Sequence, residues 1–431
     1  MKQFIVENKL LFLYLLLAVV SSAFSPYAGV VVVSLLFLKY SQSSEWSNLF
    51  IVLYTVLFLS DSRMGIMDFA KIIKPFIALA WCLIIIKNYG VSKLTKTWAG
   101  HFIPFILFAF SVVLLSPIIA KSFQKTLSYT LILMCVPLFL IELREKREAF
   151  LRIFIFWLFG LLVLGFLFRF IKPDWVLLGG RYRGLMGNPN GQGILLVVNF
   201  LLVEVVKSVY PKIFSKKEYV VILIVFILSL LMCGTRSAIL VFVFYFILGW
   251  IYRKSVVFGV IVTILLLMFS VLLLDVLPEL IRSLGLADYL RLKRLGEGSG
   301  RIVAWNFAYE KIQENYFAGK GFGYTIHMFR QNRPLLLSLN HQGNAHNSFI
   351  TFWLNTGIIG LVLYVYGLIR MTLMGLKKNP IMLPVFSCFM ISANFESWLT
   401  ASLNPYTIIF VMTMTILVVG RNDKPERLNL S

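Results

Sequence analysis

The sequence predicts an all-α polytopic membrane protein, with about 12–14 transmembrane helices and one large, partly helical loop facing outward. Three observations lead there. The 431-residue chain is 59% hydrophobic with a mean hydropathy of +0.85, more apolar surface than a soluble fold can hide from water. Apolar runs of roughly 17 to 25 residues, the length needed to cross a bilayer as a helix, follow one another along most of the chain. Every second short connection between them is basic, which is the pattern of positively charged cytoplasmic loops.

About fourteen candidate spans can be drawn. They lie at roughly 10–24, 27–39, 46–60, 66–87, 101–120, 126–142, 149–171, 192–210, 218–233, 237–252, 255–277, 347–369, 381–399 and 404–420. The stretch 10–39 turns about Ser25-Pro26 and reads as two short spans or one interrupted span. Met1-Lys2 and the apolar run behind it resemble the opening of a signal peptide. No small-residue cleavage site follows and further spans begin at once, so a retained helix is expected, with no lipidation motif and no separate soluble domain. Three regions are expected: 1–171 as N-terminal helices, 172–369 as a core containing the outward loop 278–346, and 370–431 as C-terminal helices and tail.

The net charge of +22 would raise nucleic acid as a partner in a soluble protein, but its distribution points to the lipid bilayer instead. With the N-terminus in the cytoplasm, the connections carrying Lys93 and Lys96, Arg144, Lys146 and Arg147, Lys212, Lys216 and Lys217, Arg253 and Lys254, and Lys377 and Lys378 all fall inside. The tail with Arg421, Lys424 and Arg427 does too, so both termini are expected to be cytoplasmic. Topology leaves unexplained a denser basic set on the outer side: Arg181, Arg183, Arg236, Arg282, Arg291, Lys293, Arg294, Arg301, Arg330 and Arg333.

Three unusual polar segments share that outer side. The first, 172–193, contains Gly-Gly-Arg181-Tyr-Arg183-Gly-Leu-Met-Gly-Asn188-Pro189-Asn190-Gly-Gln192-Gly, whose glycines and Asn-Pro-Asn cannot be helical before about Gly193. Irregular backbone at membrane depth must be buried in protein or line a wet cavity. The second is the tight turn Cys233-Gly234-Thr235-Arg236-Ser237, in which Arg236 either snorkels to the interface or aims into a cavity. The third is the long loop from about Pro278 to Ala345. There, Trp305, Ala308, Ile312 and Tyr316 fall on one face of an amphipathic helix that serves as a substrate wall or rests on the membrane surface. Ser299-Gly300 marks its start, placing Arg301 near amides that also favour anions. The run Gly319-Lys320-Gly321-Phe322-Gly323 closes it and only superficially resembles a phosphate loop, since no strand precedes it and no Gly-Lys-Ser/Thr follows.

The four cysteines (Cys82, Cys135, Cys233, Cys388) fall in different spans without CxxC spacing, so neither a disulfide nor a thiolate metal site is expected. Outward acids such as Asp174, Asp288, Glu297 and Glu310 are scattered, which gives no expectation of a metal or other cofactor. A diphosphate bound without a metal needs protein cations, and the planar fork of arginine bonds phosphate oxygens bidentately. Arg183, Arg236 and Arg301, one from each outward segment, are the candidates. His346, at the end of the only large loop and followed by Asn347, is the candidate general base, since a neutral imidazole can take the proton of an attacking hydroxyl. His327 and His341 have no comparable surroundings.

The ordered set Arg183-Gly-x-x-Gly-Asn188-Pro189-Asn190, Gly234-Thr235-Arg236-Ser237, Gly300-Arg301-x-x-x-Trp305, Gly319-x-Gly321-x-Gly323, Ala345-His346-Asn347-Ser348 and Thr356-Gly357-Ile358-Ile359-Gly360 resembles the bacterial O-antigen ligase and O-antigen polymerase family. The resemblance covers roughly 180–360. It implies an inverting, metal-independent glycosyltransferase of the bacterial inner membrane with a large periplasmic loop. Such an enzyme moves a glycan from undecaprenyl diphosphate to a saccharide acceptor, either lipid A core or a growing polysaccharide. By that likeness Arg183 and Arg301 hold the diphosphate, His346 activates the acceptor hydroxyl and Arg236 stands at a motif position of less defined role. Asn347 orients the histidine or caps its helix, and Asn188, Asn190 and Trp305 are supporting or sugar-contacting residues. The span count departs from the family, in which about twelve are usual. The competing class is a flippase for the same lipid-linked sugars. It calls for charges inside spans and symmetry between halves, whereas no half-repeat is evident and Lys71 and Lys74 are the nearest to intramembrane charges.

Overall fold

The computed structural model describes residues 9–283, 301–338 and 343–421, with side chains throughout except at 270–283 and 302. Among the described residues the protein is helical apart from a two-residue antiparallel ribbon, in which Leu177 pairs with Tyr182 and Leu178 with Arg181. Among the described residues seven helices are long and apolar enough to cross a membrane, and five shorter apolar helices accompany them. The chain is a multi-pass membrane protein, and a bilayer explains the near-absence of strand, because helices satisfy their own backbone amides.

Local chemistry sets the helix ends. The stretch 10–39 forms two helices, Lys9–Ser22 and Pro26–Gln42, because Pro26 lacks the N–H that would continue the first and is preformed for the start of the second. A capping box closes the N-terminus of Lys216–Cys233, with Ser215 Oγ accepting from Glu218 N and Glu218 accepting from Ser215 N. Gly234, in the left-handed conformation, ends that helix. The helix Val256–Ser283 runs through Pro278, so the long polar loop begins later than the composition shift indicated.

The chain divides into two compact units. In the first (1–93, 135–234 and 403–416), Phe50, Tyr54, Trp81, Phe139, Phe150 and Phe154 pack edge-to-face or stacked, and the Trp157 indole donates to Thr55 Oγ1 at 2.9 Å. Arg147, counted above only as topological charge, is 2% exposed and donates to the carbonyls of Leu140 (2.7 Å) and Ile141 (3.1 Å). It satisfies the end of the helix Ile119–Glu142, where cations are favoured.

In the second unit (94–134, 235–402 and 417–431), the Phe352 and Tyr364 rings stack with centroids 4.1 Å apart, and Tyr129 Oη lies within hydrogen-bond distance of Tyr364 Oη (3.0 Å) and the Leu399 carbonyl (3.1 Å). The helix Arg301–Gln313 buries Ala304, Phe307, Ala308 and Ile312 against Tyr324, Met328, Phe329 and, from the helix Ser348–Leu376, Leu354. Trp305 flanks that core, whereas Tyr316 lies past the helix end and is 36% exposed.

Backbone hydrogen bonds fasten the loop to the helix Ser348–Leu376. Within Ser348–Leu376, Gly357 adopts φ 64° and ψ −179°, which interrupts the helix. The amide groups left unpaired there are taken up by the incoming loop. Lys320 N donates to Leu354 O and Gly321 N to Asn355 O, while Ile358 N donates to Tyr316 O and Ile359 N to Phe317 O. A Cβ on Gly319 would lie 2.5 Å from Gly357 N, and one on Gly357 would lie 2.0 Å from Phe317 O. The two glycine motifs of the sequence thus meet as the halves of one main-chain clasp.

Candidate functional site

His346 stands in the second unit immediately before the N-cap of Ser348–Leu376, and its backbone is left-handed (φ 45°). Such a conformation is uncommon for a side-chain-bearing residue and is held only where the surroundings over-determine it. Those surroundings are visible on both sides. The Trp305 indole donates to the Ala345 carbonyl at 2.8 Å, tying the preceding residue to the loop helix. Asn347 N donates to Ser397 Oγ at 3.1 Å, tying the following residue to the chain beyond Met382–Phe395.

Asn347 caps its helix, its Oδ1 accepting from Phe349 N (2.9 Å) and Ile350 N (3.1 Å). Its Nδ2 donates to Asn394 Oδ1 at 2.7 Å, and Asn394 Nδ2 donates to Leu267 O. Ser348 Oγ donates to the Glu396 carbonyl at 2.7 Å and accepts from Leu399 N. The start of one helix and the end of another are therefore laced together under the histidine.

A residue that the sequence reading passed over completes the arrangement. Glu396 Oε2 lies 2.8 Å from His346 Nδ1, and Glu396 Oε1 lies 3.7 Å from an Arg301 guanidinium nitrogen. The carboxylate is largely buried, its side chain 11% exposed against 34% for His346, so the histidine is the more open of the pair. Arg301 also lies over the Phe395 ring, 5.6 Å from its centroid. Arg301 and His346, from the start of one helix and the residue before the N-cap of another, thereby meet at one acid. Glu396 was hidden because the span drawn over 381–399 absorbed it. The helix actually ends at Phe395, and Glu396 is extended (φ −149°, ψ 151°). An acid inside an apolar window was the available signal, since such a residue is rare unless it has a function.

The first unit holds the other sequence candidates. Arg183, 8% exposed, reaches the carbonyls of Gly187 and Asp174, both at 3.4 Å, and its Nε has no hydrogen-bond partner. Burial, with Arg63 nearby, lowers its pKa. Asn188 is the N-cap of Pro189–Val209, accepting from Gly191 N at 2.7 Å, and Asn190 accepts from Arg181 at 3.3 Å. Arg181 also donates to the carbonyls of Cys233 and Gly234, closing the end of Lys216–Cys233. Asp61 Oδ2 accepts from Gly187 N and Tyr406 Oη, both at 3.4 Å, and burial raises its pKa despite Lys74 and Arg63.

Arg236, in the second unit, is the first residue of the helix Arg236–Lys254 and is half-buried. The structure thus brings Arg301 to His346 and places Arg183 in the other unit. His327 lies in the helix Tyr324–Gln331, and His341 falls outside the described residues. Asp288, Glu297 and Ser299-Gly300 fall outside them too. Among the described residues no group of three or more His, Cys, Asp or Glu is placed to hold a metal ion.

Residues 221–365, about a third of the chain, match the family model described as O-antigen ligase. Arg236, Arg301 and His346 all lie within the match, whereas Arg183 and Glu396 lie outside it. No curated protein matches the chain.

Proposed function

We propose that this membrane protein, which carries an O-antigen ligase domain at residues 221–365, is a glycosyltransferase acting on the outer face of the bacterial inner membrane. Its donor is a glycan on undecaprenyl diphosphate and its acceptor a hydroxyl of lipid A core or of a second carrier-linked glycan. The observation that carries this reading is the convergence of Arg301 and His346 on one carboxylate, a cation and a partly exposed imidazole held through Glu396.

In the proposed reaction the acceptor hydroxyl oxygen attacks the anomeric carbon from the face opposite the diphosphate, which gives inversion. The bond from that carbon to the diphosphate oxygen breaks, and the leaving diphosphate takes the electron pair. The hydroxyl proton passes to His346, whose loss at such a site costs roughly 10²- to 10⁴-fold in rate. Arg301 and Arg236 stabilise the charge growing on the diphosphate, as preformed cations do in a water-poor site. Arg183 is proposed as a third diphosphate ligand on its chemistry and its unpartnered Nε. Asn347 holds the histidine's backbone, while Trp305, Asn188 and Asn190 keep the flanking segments in place.

His346→Ala tests the reading directly. The variant should accumulate in membranes like the wild type yet fail to transfer glycan from purified undecaprenyl-diphosphate donor. Wild-type transfer by it would end the assignment. Deleting the protein and separating surface glycan on a gel distinguishes the acceptors, since a polymerase loses chain length with one unit still attached and a ligase loses all attachment.

A further inference from the structure

We propose that Arg63 is a donor-binding residue that, with Arg183 across Gly187, holds the diphosphate of the lipid-linked glycan. The inference rests on the glycosyltransferase reading, and Arg63 lies outside the residues that the family match covers. It stands in the first unit, in the connection between the helices Trp46–Leu59 and Asp68–Tyr89. There Ser62 Oγ accepts from Met64 N at 3.2 Å and turns the chain. The connection then meets the Arg183 turn main chain to main chain, since a Cβ on Gly187 would lie 2.5 Å from Asp61 O. The same position is 3.6 Å from Arg63 Cγ and 3.7 Å from Arg63 Nε, while Arg183 donates to Gly187 O at 3.4 Å. Two arginine side chains thus converge on one glycine.

Three features separate Arg63 from an arginine that merely snorkels to the interface. The first is repulsion: burial, and after it the Arg63 charge, lowers the Arg183 pKa, so the two cations sit together at a cost that an anion between them would offset. The second is the charge balance. Asp61 feels both Lys74 and Arg63, but its Oδ2 accepts from Gly187 N and Tyr406 Oη, and Asp174 offers Arg183 only its carbonyl. Even with Asp61 ionised, the cations Arg63, Lys74 and Arg183 leave two positive charges over, which match a doubly charged diphosphate diester better than a singly charged phospholipid phosphate. The third is a set of buried polar atoms at the same turn. Arg183 Nε and both polar atoms of the Gln192 side chain, 1% exposed, have no hydrogen-bond partner among the described residues, although such groups are ordinarily paired. The Gln192 carboxamide lies on Gly184, its Oε1 2.8 Å from where a Cβ would stand. The helix Pro189–Val209 begins beside this turn, and the field at its N-terminus favours an anion.

Arg63→Gln keeps the stem against Gly187 and removes the charge. It should raise the KM for purified undecaprenyl-diphosphate glycan about tenfold to a hundredfold, as the loss of a hydrogen bond to a charged group does, and leave the acceptor KM unchanged. Inorganic pyrophosphate gives a readout independent of turnover. It should raise the melting midpoint of the detergent-purified wild type and of Lys121→Gln, an exposed cation of the second unit, but not of Arg63→Gln or Arg183→Gln. Arg63→Lys should recover part of the donor affinity, since it restores the charge without the planar fork. A wild-type donor KM or an intact pyrophosphate response in Arg63→Gln, a raised acceptor KM at unchanged donor KM, or an equal loss of response in Lys121→Gln would overturn the proposal. Should Arg63→Gln fail to accumulate, Arg63→Lys decides by the same two measurements. An active His346→Ala defeats the reading of the reaction itself, whereas an inactive His346→Ala beside an Arg63→Gln of wild-type donor KM defeats only this inference.

Discussion

Gly357→Ala is the substitution whose cost can be worked most fully from the structure. At φ 64° and ψ −179° the backbone occupies a region essentially closed to residues with a Cβ, worth about 1–3 kcal/mol of strain. The added methyl would stand 2.0 Å from Phe317 O and 2.4 Å from Ala318 N, both main-chain atoms that no side-chain rotation can move aside. The loop must therefore retreat, breaking or stretching the bonds from Ile358 N to Tyr316 O (2.9 Å) and from Ile359 N to Phe317 O (3.3 Å), at about 1 kcal/mol each. Together these come to about 3–5 kcal/mol, a large share of the 5–15 kcal/mol that typically separates folded from unfolded protein. Denaturant titration of the detergent-purified variant should show a clearly lower midpoint, with less protein accumulating in membranes. A midpoint and yield equal to wild type would refute the reasoning and mean that the loop is not seated on the helix break.

Three further outcomes follow from particular contacts. Asn347→Ala removes a cap that accepts two amide hydrogen bonds and the link to Asn394, so it should cost about 1–3 kcal/mol in the same titration and reduce transfer. Equal stability would show the cap to be dispensable. Trp305→Phe keeps an aromatic ring but loses the bond to Ala345 O, and should lower kcat with little change in acceptor KM. A raised acceptor KM at unchanged kcat would instead place the ring against sugar. Asp61→Asn bears on pH: burial raises the Asp61 pKa in the folded protein, so its ionisation opposes folding once the pH exceeds the unfolded value. The variant should melt higher than wild type at pH 8 and lose that advantage as the pH falls toward the ordinary carboxylate range. A deficit that grows with pH would mean that pairing with Lys74 and Arg63 outweighs burial.

The helical membrane body was legible because a bilayer leaves the chain so few alternatives, and hydropathy reports that constraint directly. His346 and Asn347 were legible as polar residues at the margin of an apolar run, and Arg301 as a cation at the Ser299-Gly300 helix start within the polar loop. Glu396 was not, since a window averaged over 381–399 dilutes one acid among apolar neighbours, and a partner's distance is not written in spacing. The glycine runs were recognisable as punctuation, yet nothing in either run states that it closes on the other across the second unit. Asn188-Pro189 illustrates an available local reading: an N-cap residue followed by proline at the first helical position is a helix start before it is a sugar contact.

The four cysteines are all buried, and none is in a disulfide. Their inaccessibility leaves the molecule with a silent thiol background. A cysteine introduced at an exposed position such as Phe317, or in the connection carrying Lys93, would be the reactive thiol presented to a membrane-impermeant maleimide. Which of the two labels in intact cells reports the sidedness of the protein without stripping out its native sulfur.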